Sequence, residues 1–320
     1  MSMITIEQGA REGNDEPLFE ARYDMTLGHV QATVMEYLDK GADVLPGGRF
    51  LGIVANPNEP MGNVGRWLET QIFNESFRHS PGEMSEAYAD VEQDSRFLLV
   101  IDRHTYLPAG VMRIVDGESA HKLTVEEAPG LLAKVDHPEI ENIDDIDPEI
   151  VAAKRRDIVD YHDIRPDEVA WDVATMAIPA QYRARYIKGV HVSGMLERMF
   201  VELGDQEGVE RVYTLLDSKA RRSLGGTGVP FKPLLGQETP FEYKNSPKTY
   251  AMAGDFKDFR SGVKAAHEAI RQESFIARIV RDGLHRAITR RAHGRVAGMA
   301  ALGLYGVDSH IVMPAARAVS

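Results

Sequence analysis

The stretch VAWDVATMAIPAQYRARYIKG, residues 169–189, says most about how this chain folds. Residues 169–178 are mostly apolar, which predicts a buried strand that ends at Pro179. After a basic loop, apolar spacing from about Ser193 predicts a helix that ends near Gly204 or Gly208. Residues 211–216 (RVYTLL) predict another strand. Strand, helix and strand in this order predict a parallel pair with a right-handed crossover.

The loop after the first of these strands is suited to bind an anion. Arg183, Arg185 and Lys188 place three formal positive charges shortly before the helix start near Ser193. The unpaired N–H groups and the positive dipole end of a helix N-terminus attract phosphate groups. A pyrophosphate would therefore suit this place. The same cations could instead solubilise a turn or pair with acidic residues elsewhere in the chain.

Further elements follow from apolar spacing on both sides of this stretch. Helices are predicted from about Thr26 to Gly41 and through Trp67 to Phe77, with a short strand at residues 50–55 between them. Residues 96–102 and 109–115 predict an antiparallel hairpin, because the short connection contains Pro108. Residues 217–224 predict a short helix and residues 225–234 a strand.

Composition divides the chain into three segments. Residues 1–24 are polar and aperiodic, which predicts a flexible N-terminal arm. Residues 25–255 predict one α/β domain, interrupted at 116–167 by an insertion with some helix and an acidic cluster. Residues 256–320 predict a basic amphipathic helical extension, with 11 basic and 5 acidic side chains from Lys257 onward. Its basic face is either solvated or docked on the acidic domain, or it contacts a membrane surface, nucleic acid or a protein.

The overall composition excludes several classes of function. A formal net charge of −12 argues against a general polyanion binder. The absence of cysteine excludes disulfides and thiolate chemistry, and predicts a cytoplasmic protein. No apolar run approaches the roughly 20 residues of a membrane span, so no transmembrane segment or export is expected. The 11 histidines are scattered without HExxH spacing, so no metal is expected.

The order of these motifs resembles the GNAT superfamily of acyl-CoA N-acyltransferases. The run from Met176 to Pro179, the basic loop from Gln181 and the following helix are similar to the family's central strand, pyrophosphate loop and CoA helix. The resemblance covers roughly residues 50–247. It implies an α/β (α+β) fold with a mixed, partly splayed central sheet flanked by helices, here followed by the long C-terminal helical extension.

One branch of that superfamily is the most similar, the autoinducer (acyl-homoserine-lactone) synthases and related N-acyl amino acid synthases. Trp171 and Asp172 begin the central strand as in that branch, and Gly110 is followed shortly by Arg113 on an earlier strand. Where those synthases have an arginine, this chain has Thr175, so lactone chemistry is not implied.

The resemblance implies transfer of an acyl group to an amine, amino acid-like acceptor. The donor is acyl-CoA or acetyl-CoA, or the phosphopantetheine arm of an acyl-carrier protein. The implied donor-binding residues are Met176, Ala177, Ile178, Gln181, Arg183, Arg185, Lys188 and Ser193. Ala184 and Tyr186 stand where the family loop has glycines that approach phosphate, which favours the carrier protein as donor. The altered loop also fits a GNAT-like module without turnover that binds or regulates through the basic C-terminal helix, and a homodimer is compatible with either function.

Acyl transfer to an amine needs a base, and Asp172 is the main candidate. A carboxylate on a central strand beside Trp171 would be partly desolvated, which raises its pKa toward a useful value. Asp172 could instead form a structural bridge with Arg113, itself a predicted catalytic residue. Glu69 and Glu75 are further candidates on the upstream helix.

The other two demands of the reaction are a polarised carbonyl and a protonated leaving thiolate. In this family backbone N–H groups near residues 176–178 polarise the carbonyl. Tyr182, Tyr186 and Tyr213 are candidates to protonate the thiolate, and the sequence does not choose among them.

Overall fold

The computed structural model describes residues 4–6, 20–41, 48–183, 192–221, 231–261 and 310–314. The helices are α1 (Leu27–Lys40), α2 (Pro60–Phe77), α3 (Pro81–Tyr88), α4 (Ala128–Asp136), α5 (Pro148–His162) and α6 (Val192–Glu207). The strands are β1 (Ile4–Ile6), β2 (Phe50–Ala55), β3 (Ser95–Asp102), β4 (Leu107–Val115), β5 (Ala170–Ala177), β6 (Arg211–Asp217), β7 (Lys232–Pro233), β8 (Phe241–Tyr243), β9 (Ser246–Asp255) and β10 (His310–Pro314). This mixture of helices with parallel and antiparallel strands confirms the predicted mixed α/β class.

The chain forms two compact units. The first comprises Met1–Val115, Thr175–Glu207 and Tyr305–Ser320, and the second comprises Asp116–Ala174 and Gly208–Leu304. The division falls inside residues 25–255, which the sequence assigned to one domain.

The first unit contains the strands in the order β1-β10-β2-β3-β4. β1, β10 and β2 are parallel, whereas β2, β3 and β4 are antiparallel, which confirms the predicted hairpin. A bulge at Ala109 interrupts the hairpin ladder, because Val100 pairs with Gly110 while Ile101 pairs with Pro108.

Helices pack on the strands of the first unit through buried apolar side chains. α1 and α2 contribute Val30, Val34, Val64 and Leu68 to a core that also contains Leu51, Phe97, Leu99 and Ile101. α6 packs on β3 and β4. It approaches β4 closely at Gly110, where a Cβ atom would lie 2.6 Å from Val192 Cγ1. Glycine at this position therefore sets how closely the predicted donor-site helix lies on the strand.

The second unit contains residues 170–174 of β5 together with β6, β9, β7 and β8, whereas residues 175–177 of β5 belong to the first unit. β5 and β6 form the predicted parallel pair through four rungs, from Ala170–Arg211 to Val173–Thr214. β9 is antiparallel to β6 and also pairs with β7 and β8. α4, α5 and a π-helical turn at Lys122–Glu126 complete a core whose members include Val125, Ala128, Leu132, Ile158, Tyr213 and Ala251. The insertion predicted at 116–167 therefore contains two helices of this unit.

The ends of the chain differ from the sequence prediction where they are described. Ile4–Ile6 is a strand and Tyr23 is buried, although both lie in the predicted flexible arm. Residues 256–261 are helical as predicted, but 310–314 form β10, because this β-branched run finds strand partners in β1 and β2. Residues 262–309, most of the predicted helical extension, lie outside the described residues. Among the helices that the structure describes, none is long and apolar enough to cross a membrane.

Candidate active site

Asp172 lies in β5 and is 1% exposed. Both of its carboxylate oxygens accept a hydrogen bond from one residue. The Thr124 N–H donates to Oδ2 at 2.7 Å, and the Thr124 hydroxyl donates to Oδ1 at 2.8 Å. Burial raises the pKa of Asp172 to about 7, although the two hydrogen bonds oppose this rise. The carboxyl group can therefore exchange a proton near neutral pH, as a general base must.

Three further titratable groups of the second unit, Tyr213, Glu168 and His121, contact one another. The Tyr213 hydroxyl donates to Glu168, and the His121 ring packs on the Tyr213 ring with centroids 5.1 Å apart. Burial opposes the charge of Glu168, but hydrogen bonds from His121 and Tyr213 and the charge of Arg211 hold its pKa below the usual range. Burial, with the neighbouring Glu168, raises the pKa of Tyr213. This tyrosine therefore gives up its proton less readily than a free one.

Arg113, in β4, is completely buried at the centre of an ionic network in the first unit. Its Nη2 donates to Glu69 Oε2 at 2.7 Å, and its Nη1 donates to Glu92 Oε2 at 3.2 Å. Glu69 also accepts a hydrogen bond from the Thr175 hydroxyl. Burial acts against the charge of Arg113, but Glu69, Tyr23 and Glu92 raise its pKa well above the usual value.

A second guanidinium group completes this network. Arg66 is 1% exposed and its Nε donates to Glu92 Oε1 at 2.8 Å. The Tyr23 hydroxyl donates to Glu92 and accepts a hydrogen bond from Arg113 Nη2 at 3.1 Å. Two guanidinium groups thus face two carboxylates. Such a network does little for net stability, but loss of one member leaves a buried charge unmatched.

The structure therefore brings two of the predicted catalytic residues together, Arg113 and Glu69. The third, Asp172, has its own hydrogen-bond partner in Thr124. The ionic partners of Arg113 are Glu69 and Glu92, so each of these groups is satisfied within its own unit. Catalytic roles for all three remain predictions. Glu75 is exposed on α2.

The predicted donor-binding residues that the structure describes lie at the end of β5, in the turn after it and on α6, all in the first unit. Met176 and Ala177 end the strand, and Ile178 follows it. The exposed Arg183 donates from Nε to the Ile178 carbonyl oxygen at 2.5 Å, which folds its side chain back toward the strand end. Gln181 is exposed, and Ser193 is half-buried in the first turn of α6. Arg185, Tyr186 and Lys188 lie outside the described residues.

Tyr182 fixes the start of this turn to the first unit. Its hydroxyl donates to Asp102 Oδ2 at 2.9 Å, and its ring packs edge-on against Phe50. Arg49 Nη2 also bonds Asp102 Oδ2, at 2.6 Å. Burial raises the pKa of Tyr182, with Asp102 adding to the rise. The structure thus gives this tyrosine an anchoring contact.

Glu197 on α6 is a second carboxyl group whose pKa burial raises to about 7. Its side chain is half-buried, whereas that of Asp172 is fully buried. No hydrogen bond to its carboxylate is found among the described residues, whereas both oxygens of Asp172 are held. Asp172 is therefore the better-oriented candidate for a base.

Sequence reasoning missed Thr124, Glu92 and Tyr23. The T-x-x-E spacing of Thr124 and Glu127 is typical of a helix start, but the cap position of α4 is Glu127 and the Thr124 hydroxyl donates to Asp172 instead, so this spacing does not point to the contact. No local signal points to Tyr23, which lies 90 residues from Arg113 in the chain. Within the part of the chain that the structure describes, no group of three or more His, Asp or Glu side chains is placed to hold a metal ion.

Comparison with known proteins gives structural similarity only. No family model matches the sequence, and no curated protein matches it. FeeM, an N-acyl amino acid synthase from uncultured soil microbes, is 11% identical over 67% of this chain and 94% of its own, with a TM-score of 0.40. The AHL synthase LasI is 12% identical over 66% of this chain and 91% of its own, with a TM-score of 0.41.

A third similar structure is BjaI, a CoA-dependent acyl-homoserine lactone synthase solved with SAM and isopentyl-CoA. It is 14% identical over 81% of this chain and 100% of its own, with a TM-score of 0.40. Autoinducer synthases and an N-acyl amino acid synthase, which the sequence resembles, are thus among the similar structures. At such low identities and TM-scores, no residue of this chain takes its role from them.

Proposed function

We propose that this protein is an N-acyltransferase that moves an acyl group from a thioester to the amine of an amino acid-like acceptor. The observation that carries the proposal is the buried Asp172, whose pKa of about 7 suits proton removal from an amine. The thioester is acyl-CoA or the phosphopantetheine arm of an acyl-carrier protein.

The strand that holds this carboxylate also suits the thioester. The ladder between β5 and β6 ends at Val173 and Thr214, while β5 continues to Ala177. No β6 residue pairs with β5 beyond Val173. A strand N–H group that faces this unpaired side can stabilise the oxyanion that forms when a carbonyl is attacked.

The turn after β5 suits the phosphate groups of the donor. One of the five N–H donors of Arg183 bonds the Ile178 carbonyl, and the side chain is exposed. A guanidinium group held in this way can offer its other donors to a pyrophosphate. α6 begins at Val192, so its first N–H groups lie nine residues after Arg183 in the chain.

The reaction then follows from these groups. Asp172 takes a proton from the acceptor's ammonium group, and the freed amine attacks the thioester carbonyl carbon. The C–N bond forms and the C–S bond breaks. The nitrogen gives up its second proton as the thiolate is protonated, and Asp172 returns the first proton to solvent. The products are an amide and the free thiol of the donor.

Thiol release tests this function directly. The protein is given acetyl-, hexanoyl- or palmitoyl-CoA, or acyl-carrier protein with the same chains, together with a panel of amino acids. Asp172→Asn should lower kcat by about 10²- to 10⁴-fold, the range for loss of a general base. Arg183→Ala should raise KM for the CoA donor and leave kcat largely intact. Arg156→Ala, an exposed arginine on α5, is the matched control and should change neither.

Donor binding gives a second measurement without turnover. A ligand at 100 times its Kd stabilises the folded protein by about 2.7 kcal/mol, which a thermal shift detects. If no donor shifts the melting temperature and none releases thiol with any amine, the enzyme proposal is wrong. A GNAT-like binding or regulatory module would then describe the chain better.

A further inference from the structure

Thr124 holds the carboxylate of Asp172 from a segment 48 residues earlier in the chain. Thr124 is fully buried, and its N–H and hydroxyl each bind a different oxygen of the carboxylate, at 2.7 and 2.8 Å. Two donors on two oxygens fix the plane of the carboxylate as well as its position.

The backbone around Thr124 explains why this contact forms. Residues Lys122–Glu126 make a π-helical turn, in which the N–H groups of Val125 and Glu126 both donate to the His121 carbonyl. The N–H groups of a first helical turn have no acceptor within the helix. Asp172 accepts the one that Thr124 offers. The side-chain hydroxyl then reaches the second oxygen.

The hydrogen bonds of Thr124 leave acceptor capacity on the carboxylate. An ionised carboxylate has about four lone-pair sites, and Thr124 occupies one on each oxygen. Thr124 therefore orients the carboxylate without occupying all of its acceptor sites.

Charged neighbours also act on Asp172. Burial is the largest influence and raises its pKa, the two bonds from Thr124 lower it, Glu127 raises it and His121 lowers it. Tyr213 lies directly across the β5–β6 ladder from Asp172 and is bonded to Glu168. Among these groups, Thr124 is the residue that hydrogen-bonds both oxygens, so it is the one expected to control orientation.

We propose that Thr124 is a positioning residue for the base Asp172, so that the segment 116–167 supplies part of the catalytic machinery. This inference rests on the proposed acyltransferase function. It goes beyond that function because it assigns a role to the segment 116–167, which contains none of the motifs that resemble the GNAT superfamily.

The test is the pH dependence of kcat/KM in Thr124→Val, Thr124→Ala and Thr124→Ser. A hydrogen bond to a charged group contributes about 1.5 to 3 kcal/mol, which corresponds to roughly one to two pH units. Loss of the hydroxyl in the valine and alanine variants should therefore move the acid limb of the profile upward by about one unit or more. The serine variant keeps the hydroxyl and should return the limb to its wild-type position.

Thr214→Val is the matched control, because Thr214 is a buried threonine of the same unit whose hydroxyl bonds the Val173 carbonyl at 2.8 Å. It should leave the acid limb in place. A wild-type profile in both the valine and alanine variants of Thr124 would overturn the inference, as would an equal displacement in Thr214→Val. Two variants of different size guard against failure of one to fold.

Infrared spectroscopy separates this inference from the proposed function. The carboxylic acid band that is present in the wild type and absent in Asp172→Asn reports protonation of Asp172 without turnover. Its midpoint should lie near pH 7 in the wild type and about one unit or more higher in Thr124→Val. If no substrate turns over, the proposed function fails, while the midpoint still shows whether Thr124 controls the carboxylate. An unchanged midpoint overturns the inference even in an active enzyme.

Discussion

The carboxylates of Glu69 in the first unit and Asp172 in the second are both buried, yet their neighbours differ in charge. Glu69 faces the guanidinium group of Arg113, which matches its charge. Asp172 faces the neutral N–H and hydroxyl of Thr124, which leave its charge unmatched. Burial alone therefore does not prepare a carboxylate for proton transfer. At Glu69 the neighbour forms an ion pair, whereas at Asp172 burial without a matching charge raises the pKa to about 7.

This comparison also assigns a different role to the buried charged groups of each unit. The network of Arg113, Glu69, Glu92, Arg66 and Tyr23 links α2, β4 and the segment before α1 in the first unit. Its members hydrogen-bond to one another, so the network is suited to a structural role. Asp172 keeps acceptor capacity and a pKa near neutrality, which suits chemistry. Substitutions in the two places should therefore change different measurements.

The largest expected effect is loss of the buried guanidinium group in Arg113→Met. Removing one partner of a buried ionic network costs about 3 to 5 kcal/mol, because Glu69 and Glu92 keep buried charges without their match. Urea unfolding at pH 7 measures the loss.

An exposed ion pair is the control for that loss. Lys40→Met removes the pair with Glu36, whose side chains are 76% and 67% exposed, and should cost well under about 1 kcal/mol. Arg113→Met combined with Glu69→Gln should be less destabilised than the sum of the single changes. If Arg113→Met costs no more than Lys40→Met, the network is not the desolvated one described here.

The second largest effect is a pH dependence of the free energy of unfolding that the titration of Asp172 causes. Its folded pKa of about 7 lies above the unfolded value of 3.8, so its contribution is fully present below pH 3.8 and is lost as pH rises through about 7. Between pH 5 and pH 7 the wild type should lose about 2 kcal/mol of unfolding free energy from this group.

Asp172→Asn should remove this slope, since the amide does not titrate. The measurement is the difference in unfolding free energy between wild type and variant at pH 5, 6 and 7. Glu69→Gln is the matched change at the other carboxylate and should not remove the slope. A difference between wild type and Asp172→Asn that is constant with pH would refute the neutral-pH titration of Asp172.

The sequence predicted the parts of this comparison that depend on local pattern. β2 was expected at residues 50–55 and occupies Phe50–Ala55, and the hairpin, the β5–β6 pair and α6 also follow their apolar spacing. α3 and β9 were missed, although Ser80 and Glu83 form a capping box that marks the start of α3. A strand such as β9, SPKTYAMAGD, combines proline, glycine and charged residues, so its pattern is weak.

The candidate site was only partly predictable, because its contacts join distant parts of the chain. Asp172, Arg113 and Glu69 were named from the sequence, but the pairing was not. The sequence analysis offered Arg113 as a partner of Asp172, whereas Arg113 pairs with Glu69 and Asp172 is held by Thr124. Thr124 lies 48 residues from Asp172, and Glu69 lies 44 residues from Arg113. Which carboxylate meets a guanidinium group and which meets a neutral donor is set by tertiary packing. The residues next to each carboxylate in the sequence therefore do not predict its partner.

The smallest expected effect concerns Tyr23, in the stretch where the sequence predicted a flexible arm. Tyr23→Phe removes one hydroxyl between Arg113 and Glu92, but these two keep their direct contact at 3.2 Å. Loss of a single buried hydrogen bond should therefore cost about 1 kcal/mol in urea unfolding. Tyr161→Phe, at a side chain that is largely exposed, should cost less than about 0.5 kcal/mol. Equal stability of the two variants would mean that residues 20–24 behave as a loose arm in solution. A loss of stability as large as that of Arg113→Met would instead mean that the Tyr23 hydroxyl is as important to the network as the Arg113 guanidinium group.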